Sequence, residues 1–335
     1  MAKKAEILKD ANNWEKRAEE AASRNDWMSA SIDSARSLQF YRQAQDSQNI
    51  QKMKAKMIEY SAKAETLLQD HEISLPGGDE LEEQLNLHID ELTKSNSLLE
   101  NITNIAKSQN VTPNYDESIK TAESVIPISA QIATHITYGD NGHVKSFDNF
   151  NKTWQSQNYQ FGMDLAVGIV AVSYQRLITN KQLTQDSLMK ILVDRNVFSF
   201  SILAKVDAGI ERGFANDYFS AVHILIPLIE SCFMHVSNLV GLDTVTLNGE
   251  DISTRNKTLD SRLLAREEYQ KLWGKNFCMM LDFYLYSERG YGYRNRVAHG
   301  EIDIHQTHFS LYVMLIHIII RMSLMVKVVE NEPTK

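Results

Sequence analysis

Arg294, Asn295, Arg296, His299 and Gly300 crowd into YGYRNRVAHGEI, residues 291–302, between two long apolar segments. An arginine stays charged at any physiological pH and offers paired donors to a phosphate. A histidine of ordinary pKa both accepts and returns a proton near neutrality. Brought to one phosphodiester, the two suffice for RNA cleavage without a metal or cofactor. His299 would take the proton of a ribose 2′-hydroxyl, that oxygen would attack the adjacent phosphorus, and Arg294 would stabilise the charge building on the phosphoryl oxygens. The products would be a 2′,3′-cyclic phosphate and a 5′-hydroxyl. Asn295 joins this catalytic set, more as the amide that fixes the turn than as a reacting group. Arg289 and Arg296 are candidate RNA contacts, able to hold phosphate but not to read a base.

Arg294 and His299 are five positions apart, which on a regular helix separates them by about 140°. They share a cleft only if the backbone is irregular or the arginine bends back. Gly290, Gly292 and Gly300 permit such irregularity, and glycine also lets a phosphate approach the backbone closely. Upstream, His223 and Glu230 are seven apart, within about 20° of one helix face, with Pro227 between them predicting a kink or a restart. His223 is a further candidate RNA contact. Glu230 could orient His299, pair with Arg294, or serve simply as a buried partner for one arginine. The plain alternative for the whole motif is a helix-capping loop with surface basic residues.

The stretch RNRVAHG resembles the HEPN superfamily (higher eukaryote and prokaryote nucleotide-binding domains), whose nuclease members carry Arg, four to six residues, then His. A closer likeness is to an uncharacterised HEPN-related family marked by RNxxxHG: YFSAVHILIPLIE looks like its AxHxLxPxxE helix, and SERGYGYRN like its glycine-containing approach to the Arg-Asn pair. The likeness covers residues 200–330. It implies a helical ribonuclease domain, a homodimer in which two motifs face a shared groove, and a role such as phage defence or a toxin system.

The elements that must position these residues read as helices. The chain has 335 residues, 43% apolar and 23% charged, with 14 glycines, 5 prolines and long stretches rich in Ala, Leu, Lys, Glu and Gln, so an all-α fold is predicted. Met28, Ile32, Ala35, Leu38 and Tyr41 mark one apolar stripe, Met53, Met57, Tyr60, Ala64 and Leu67 a second, and Leu85, Leu92 and Leu99 a third beyond SLPGGDE. Helical hairpins follow for residues 1–115, a bundle or a loose likeness to tetratricopeptide-like pairs without a 34-residue period. A middle helical linker occupies residues 116–199, with loop-like clusters at QNVTPNYDESIK and THITYGDNGHVKSFDNFNKTW, and the HEPN-like domain takes residues 200–335.

The net charge of −8 works against broad attraction to nucleic acid or anionic membrane. Residues 251–300 run the other way, with nine Lys or Arg against six Asp or Glu. The two cysteines lie alone in apolar segments, which excludes a disulfide framework and a four-ligand zinc site and fits the cytoplasm. The basic start has no apolar core of the secretory kind. HFSLYVMLIHIIIRMSLMVKVV approaches a membrane span in length, but His317, Arg321 and Lys327 interrupt it, and a buried helix in the core or at a subunit interface is predicted. With His305 and His308, His317 reads as a packing or surface residue. The amino-terminal helices are where a protein partner or trigger would bind. The rival to a nuclease is a non-catalytic nucleotide-binding or protein-interaction module.

Overall fold

The computed structural model describes residues 2–66, 78–126, 134–138, 144–247 and 254–326. The fold is all-α: among the described residues only two short antiparallel hairpins interrupt the helices. The chain divides into two compact units, residues 1–75 with 126–154, and residues 76–125 with 155–335. These divisions fall elsewhere than the segments 1–115, 116–199 and 200–335 read from composition.

In the first unit, α1 (Ala2–Ser23), α2 (Trp27–Ala44) and α3 (Ser47–Glu65) form a bundle. Asp26 and Asp46 cap α2 and α3 by accepting from the backbone N–H groups of Ser29 and Asn49. The inward face of α2 differs from the predicted stripe. It is Ala30, Ser34, Ser37, Tyr41 and Ala44, with Leu38, while Met28 is 43% exposed. Small side chains let helices approach closely, and the hydroxyls of Ser37 and Ser31 are satisfied inside, while that of Ser34 is buried without a partner among the described residues. Ser37 donates to the Ala11 carbonyl at 2.8 Å, and Ser31 bonds Ser61 at 2.8 Å. Tyr41 donates to Glu15 at 2.7 Å. On α3 the stripe holds, with Met53, Tyr60 and Ala64 buried, whereas Leu67 and most of SLPGGDE lie outside the described residues.

The segment read as a loop around residue 140 contributes β1 (Thr134–Tyr138) and β2 (Val144–Asn149), paired Thr134 to Asn149 with a register shift after Thr137. THITY is rich in β-branched and aromatic residues, and GDNG follows it; this is a hairpin signature.

The second unit contains α4 (Gly78–Thr93), α5 (Leu98–Lys107), a 3₁₀ turn (Gln109–Val111), α6 (Tyr115–Ser124) and the part of α7 (Phe150–Thr179) from residue 155 on. It continues through α8 (Gln185–Asp194), α9 (Phe200–Phe214) and α10 (Tyr218–Leu239) to the short hairpin β3 (Val245–Leu247) and β4 (Thr254–Asn256). One hydrophobic core runs through it, from Ile89 to Met322. Leu92 belongs to this core, but Leu99 begins a different helix and is 46% exposed; α5 turns Ile102, Ile105 and Ala106 inward instead.

After short helices α11 (Ser261–Leu264), α12 (Glu267–Trp273) and α13 (Lys275–Leu281), a π turn (Asp282–Tyr286) leads to α14 (Tyr293–Ala298), a 3₁₀ turn (Ile304–Gln306) and α15 (Phe309–Met325). Every residue of α15 from Leu311 to Ile320 is buried. The chain thus covers this helix on all sides, and the face expected to serve a subunit contact is occupied by the chain's own core. A Cβ on Gly213 of α9 would lie 2.0 Å from the Tyr312 ring, so only glycine permits the approach that also lets Tyr312 donate to the Ile210 carbonyl at 3.3 Å. Residues Thr153–Thr179 and Tyr218–Leu239 are long and apolar enough to cross a membrane by length and composition; both supply core residues here.

Candidate functional site

The approach to the motif is set by backbone contacts that tolerate only glycine. Tyr291 donates its backbone N–H to the Phe283 carbonyl at 3.0 Å, and a Cβ on Gly290 would sit 2.0 Å from that same oxygen. Gly292 takes a left-handed conformation at φ +57° and starts α14. At the other end Gly300, at φ +68°, closes the helix as its N–H reaches Val297 and the N–H of Glu301 returns to Arg296 at 2.8 Å. The three glycines bend the backbone on either side of α14, but Arg294 to Ala298 lie within the helix and the N–H of His299 bonds the Asn295 carbonyl at 3.0 Å, so the irregularity does not fall between Arg294 and His299.

Side chains hold the turn in place. Asn295 donates from Nδ2 to the Tyr286 carbonyl at 3.1 Å, the turn-fixing role its type suggested. The rings of Tyr291 and Tyr293 stack in parallel at 5.5 Å and meet Tyr284 edge-on at 5.4 and 5.0 Å. Tyr291 also donates to Asp164 of α7. This tyrosine clamp escaped the sequence reading, although YGYRN displays it once the glycine between the two rings is read as a turn.

On that frame Arg294 is half-buried and has no hydrogen-bond or ion-pair partner among the described residues. His299 ends α14, exposed and equally free at its ring. Arg294 acts on Tyr286, whose phenol is pushed up by burial and by the Glu230 carboxylate, with Arg294 opposing. Arg294 and Glu230 thus act on one phenol without forming an ion pair. Asp282, which the sequence reading did not single out, starts the π turn with its carboxyl pKa raised by burial and one oxygen unpartnered among the described residues.

Glu230 has a partner other than those proposed for it. Its Oε1 accepts the backbone N–H of Leu259 at 3.0 Å and ties the chain after the β3–β4 hairpin to α10; no hydrogen bond or ion pair joins it to His299 or to an arginine among the described residues. Glu230→Ala should lower unfolding free energy by about 1–3 kcal/mol in denaturant titration, and Glu230→Gln, which still accepts, should restore most of it. His223 likewise turns inward on its own helix: Nδ1 donates to the Phe219 carbonyl at 2.8 Å, which leaves Nε2 as its outward atom. Pro227 neither stops nor restarts α10, which runs unbroken from Tyr218 to Leu239; the proline lies exposed, where its missing N–H frees only the His223 carbonyl. Arg296 donates to Gln306 at 2.7 Å and lies 5.8 Å from the Tyr293 ring centroid. Arg289 is exposed on the turn before the motif.

Next to Leu259 opens a hollow of about 360 Å³ lined by Thr246, Lys257, Thr258, Asp260, Arg262 and Arg266, together with Leu263. Lys257 is paired with Asp243 at 2.7 Å and Arg266 with Glu268 at 3.8 Å, while Arg262 is exposed without an ion-pair partner among the described residues. No motif residue lines this basic hollow. It accounts for much of the positive excess of residues 251–300. Two further hollows, on the α5–α6 side, contain no motif residue. No group of His, Cys, Asp and Glu among the described residues is arranged to hold a metal ion. Both cysteines are buried thiols pushed up to about 12 by that burial, which leaves them unreactive.

No family model, curated protein or solved structure matches this chain.

Proposed function

We propose that the second unit is a metal-independent endoribonuclease of the HEPN type. The observation that carries the reading is the state of Arg294: a half-buried guanidinium on a rigidly fixed turn, without a carboxylate partner among the described residues, five positions before an exposed histidine. A desolvated cation lacking a counter-charge is costly to the fold, and an incoming phosphate supplies that charge.

In the reaction His299 removes the 2′-hydroxyl proton, O2′ bonds to phosphorus, and the P–O5′ bond breaks. The imidazolium then returns its proton to O5′, while Arg294 holds the non-bridging oxygens. Asn295 positions the turn, and Lys257, Arg262 and Arg266 offer phosphate contacts along the flanking strand beside Arg289, Arg296 and the Nε2 of His223. The reaction is proposed to occur in a symmetric dimer with two motifs at one groove. The buried α15 leaves the contact to other surfaces of the chain. A role in phage defence or as a toxin belongs to the same proposal.

The competing reading is a non-catalytic module that uses Arg294 to hold an anion without His299; it is favoured by the regular helix between the two residues, which separates positions five apart by about 140°. Incubation of the purified protein with RNA separates the two. Cleavage should leave 2′,3′-cyclic phosphate ends, persist in EDTA, and vanish when the attacked ribose is 2′-deoxy. An uncut RNA substrate bound by the protein would decide for the module.

A further inference from the structure

In α15, Arg321 is another half-buried cation without a counter-ion among the described residues. Its pKa is lowered to about 10 by that burial, and its guanidinium lies 4.9 Å from the Phe277 ring centroid. It donates to the hydroxyl of Thr112, and no carboxylate pairs with it among the described residues. A neutral hydroxyl and a ring face use few of its five donors.

The guanidinium lines a hollow of about 420 Å³ between the end of α5, the start of α6 and α13. Lys107 and Lys275 line it too, and the only carboxylate there, Asp116, is already held by Lys275 at 2.7 Å. Counting Lys107, Lys275 and Arg321 against Asp116 leaves a formal charge of +2 on a chain whose net charge is −8. The amides present mainly donors. Asn114 Oδ1 accepts the N–H of Glu117 and Asn276 Oδ1 that of Tyr115, both at 3.3 Å, so their Nδ2 groups stay available. An adjoining hollow of about 680 Å³ shares Gln109, Thr112, Asn114 and Asn276 and adds apolar walls from Leu85, Leu165 and Ile169.

We infer that this hollow is a binding site for a small phosphate-bearing molecule, with the phosphate on Arg321, Lys107 and the asparagine amides and the remainder against the apolar walls. Net positive charge, amide N–H donors and a partly desolvated guanidinium are the requirements for oxyanion capture. The site does not depend on the nuclease reading.

Isothermal titration of pyrophosphate into the full chain carrying Arg294→Ala, which removes the phosphate contact of the motif, should give one saturable site per chain. Affinity should fall at least tenfold when Arg321→Gln is added and at least threefold when Lys107→Ala is added, and be unchanged when Lys205→Ala is added, an exposed lysine of α9 that lines none of the three hollows. Lys107 is exposed and without a partner among the described residues, so its variant reads the site even where Arg321→Gln fails to fold. The absence of saturable binding, equal affinity with and without Lys107→Ala, or loss of binding on adding Lys205→Ala would each overturn the assignment.

Discussion

Replacing His299 by alanine should slow RNA cleavage by about 10²–10⁴-fold, the usual contribution of a positioned acid–base group, without moving the thermal midpoint. Arg294→Ala should slow it by about 10²–10³-fold, as the loss of one stabilising donor group does elsewhere. Arg294→Lys should fall between, because an ammonium keeps the charge but not the planar pair of donors. Separation of activity from stability is expected because neither side chain has a partner among the described residues: His299 is exposed, and removing the half-buried Arg294 relieves a desolvated charge. Asn295→Ala is the informative contrast. Its amide holds the Tyr286 carbonyl, so that variant should lose cleavage and stability together. Single-turnover cleavage of one defined RNA, beside thermal melts of the parent and these four variants, checks all of these, and a His299→Ala protein that cuts at the parental rate rejects the mechanism.

How far the fold was legible depended on which physical signal dominated each element. On α3 apolar periodicity coincided with burial, since Met53, Tyr60 and Ala64 fill the interior there. On α2 the rule failed because close helix approach favoured serine and alanine, leaving Met28 outside. Leu85, Leu92 and Leu99 keep heptad spacing in the sequence, yet a break before Leu98 assigns Leu99 to another helix and rotates it to the surface. The final helix was expected in the core or at a subunit interface, and composition alone could not choose. Its burial from Leu311 to Ile320 by the chain's own residues decides for the core.

The site was legible where backbone chemistry is coded locally. Gly290, Gly292 and Gly300 stand where a Cβ would strike a carbonyl or where φ is positive, and such requirements show in residue type. The partners of Glu230 were not legible. A carboxylate seven positions after a histidine on one helix suggests side-chain chemistry, but its acceptor is used by a backbone N–H at residue 259, and backbone N–H groups carry no residue signature. The hollow around Lys257, Arg262 and Arg266 left only a charge excess in the sequence, because its shape depends on how α11 and the β3–β4 hairpin pack.

His317→Leu should stabilise the protein, increasingly so as the solution becomes acidic. His317 is fully buried and both ring nitrogens lack a hydrogen-bond partner. Its nearest ring is Tyr174 of α7, edge-on at 6.2 Å, and the phenol of Tyr174 is itself unpartnered. Burial first, and then the charge of Arg321, pull the imidazole pKa down to about 3. The unfolded chain binds this proton below the ordinary value of about 6.5, whereas the folded protein refuses it until about pH 3. Between those two values the unfolded state holds more protons, so stability falls as pH falls, by roughly 1 kcal/mol per pH unit from this residue alone. Leucine removes that linkage together with two unsatisfied buried atoms. The stability advantage of His317→Leu over the parent, measured by urea denaturation, should therefore be about 2 kcal/mol larger at pH 5 than at pH 7. Carboxylates titrate alike in both proteins and cancel in the difference. A gap that stays constant between the two pH values would mean that His317 takes up its proton in the folded state near its ordinary pKa, through water or a core opening that reaches α15.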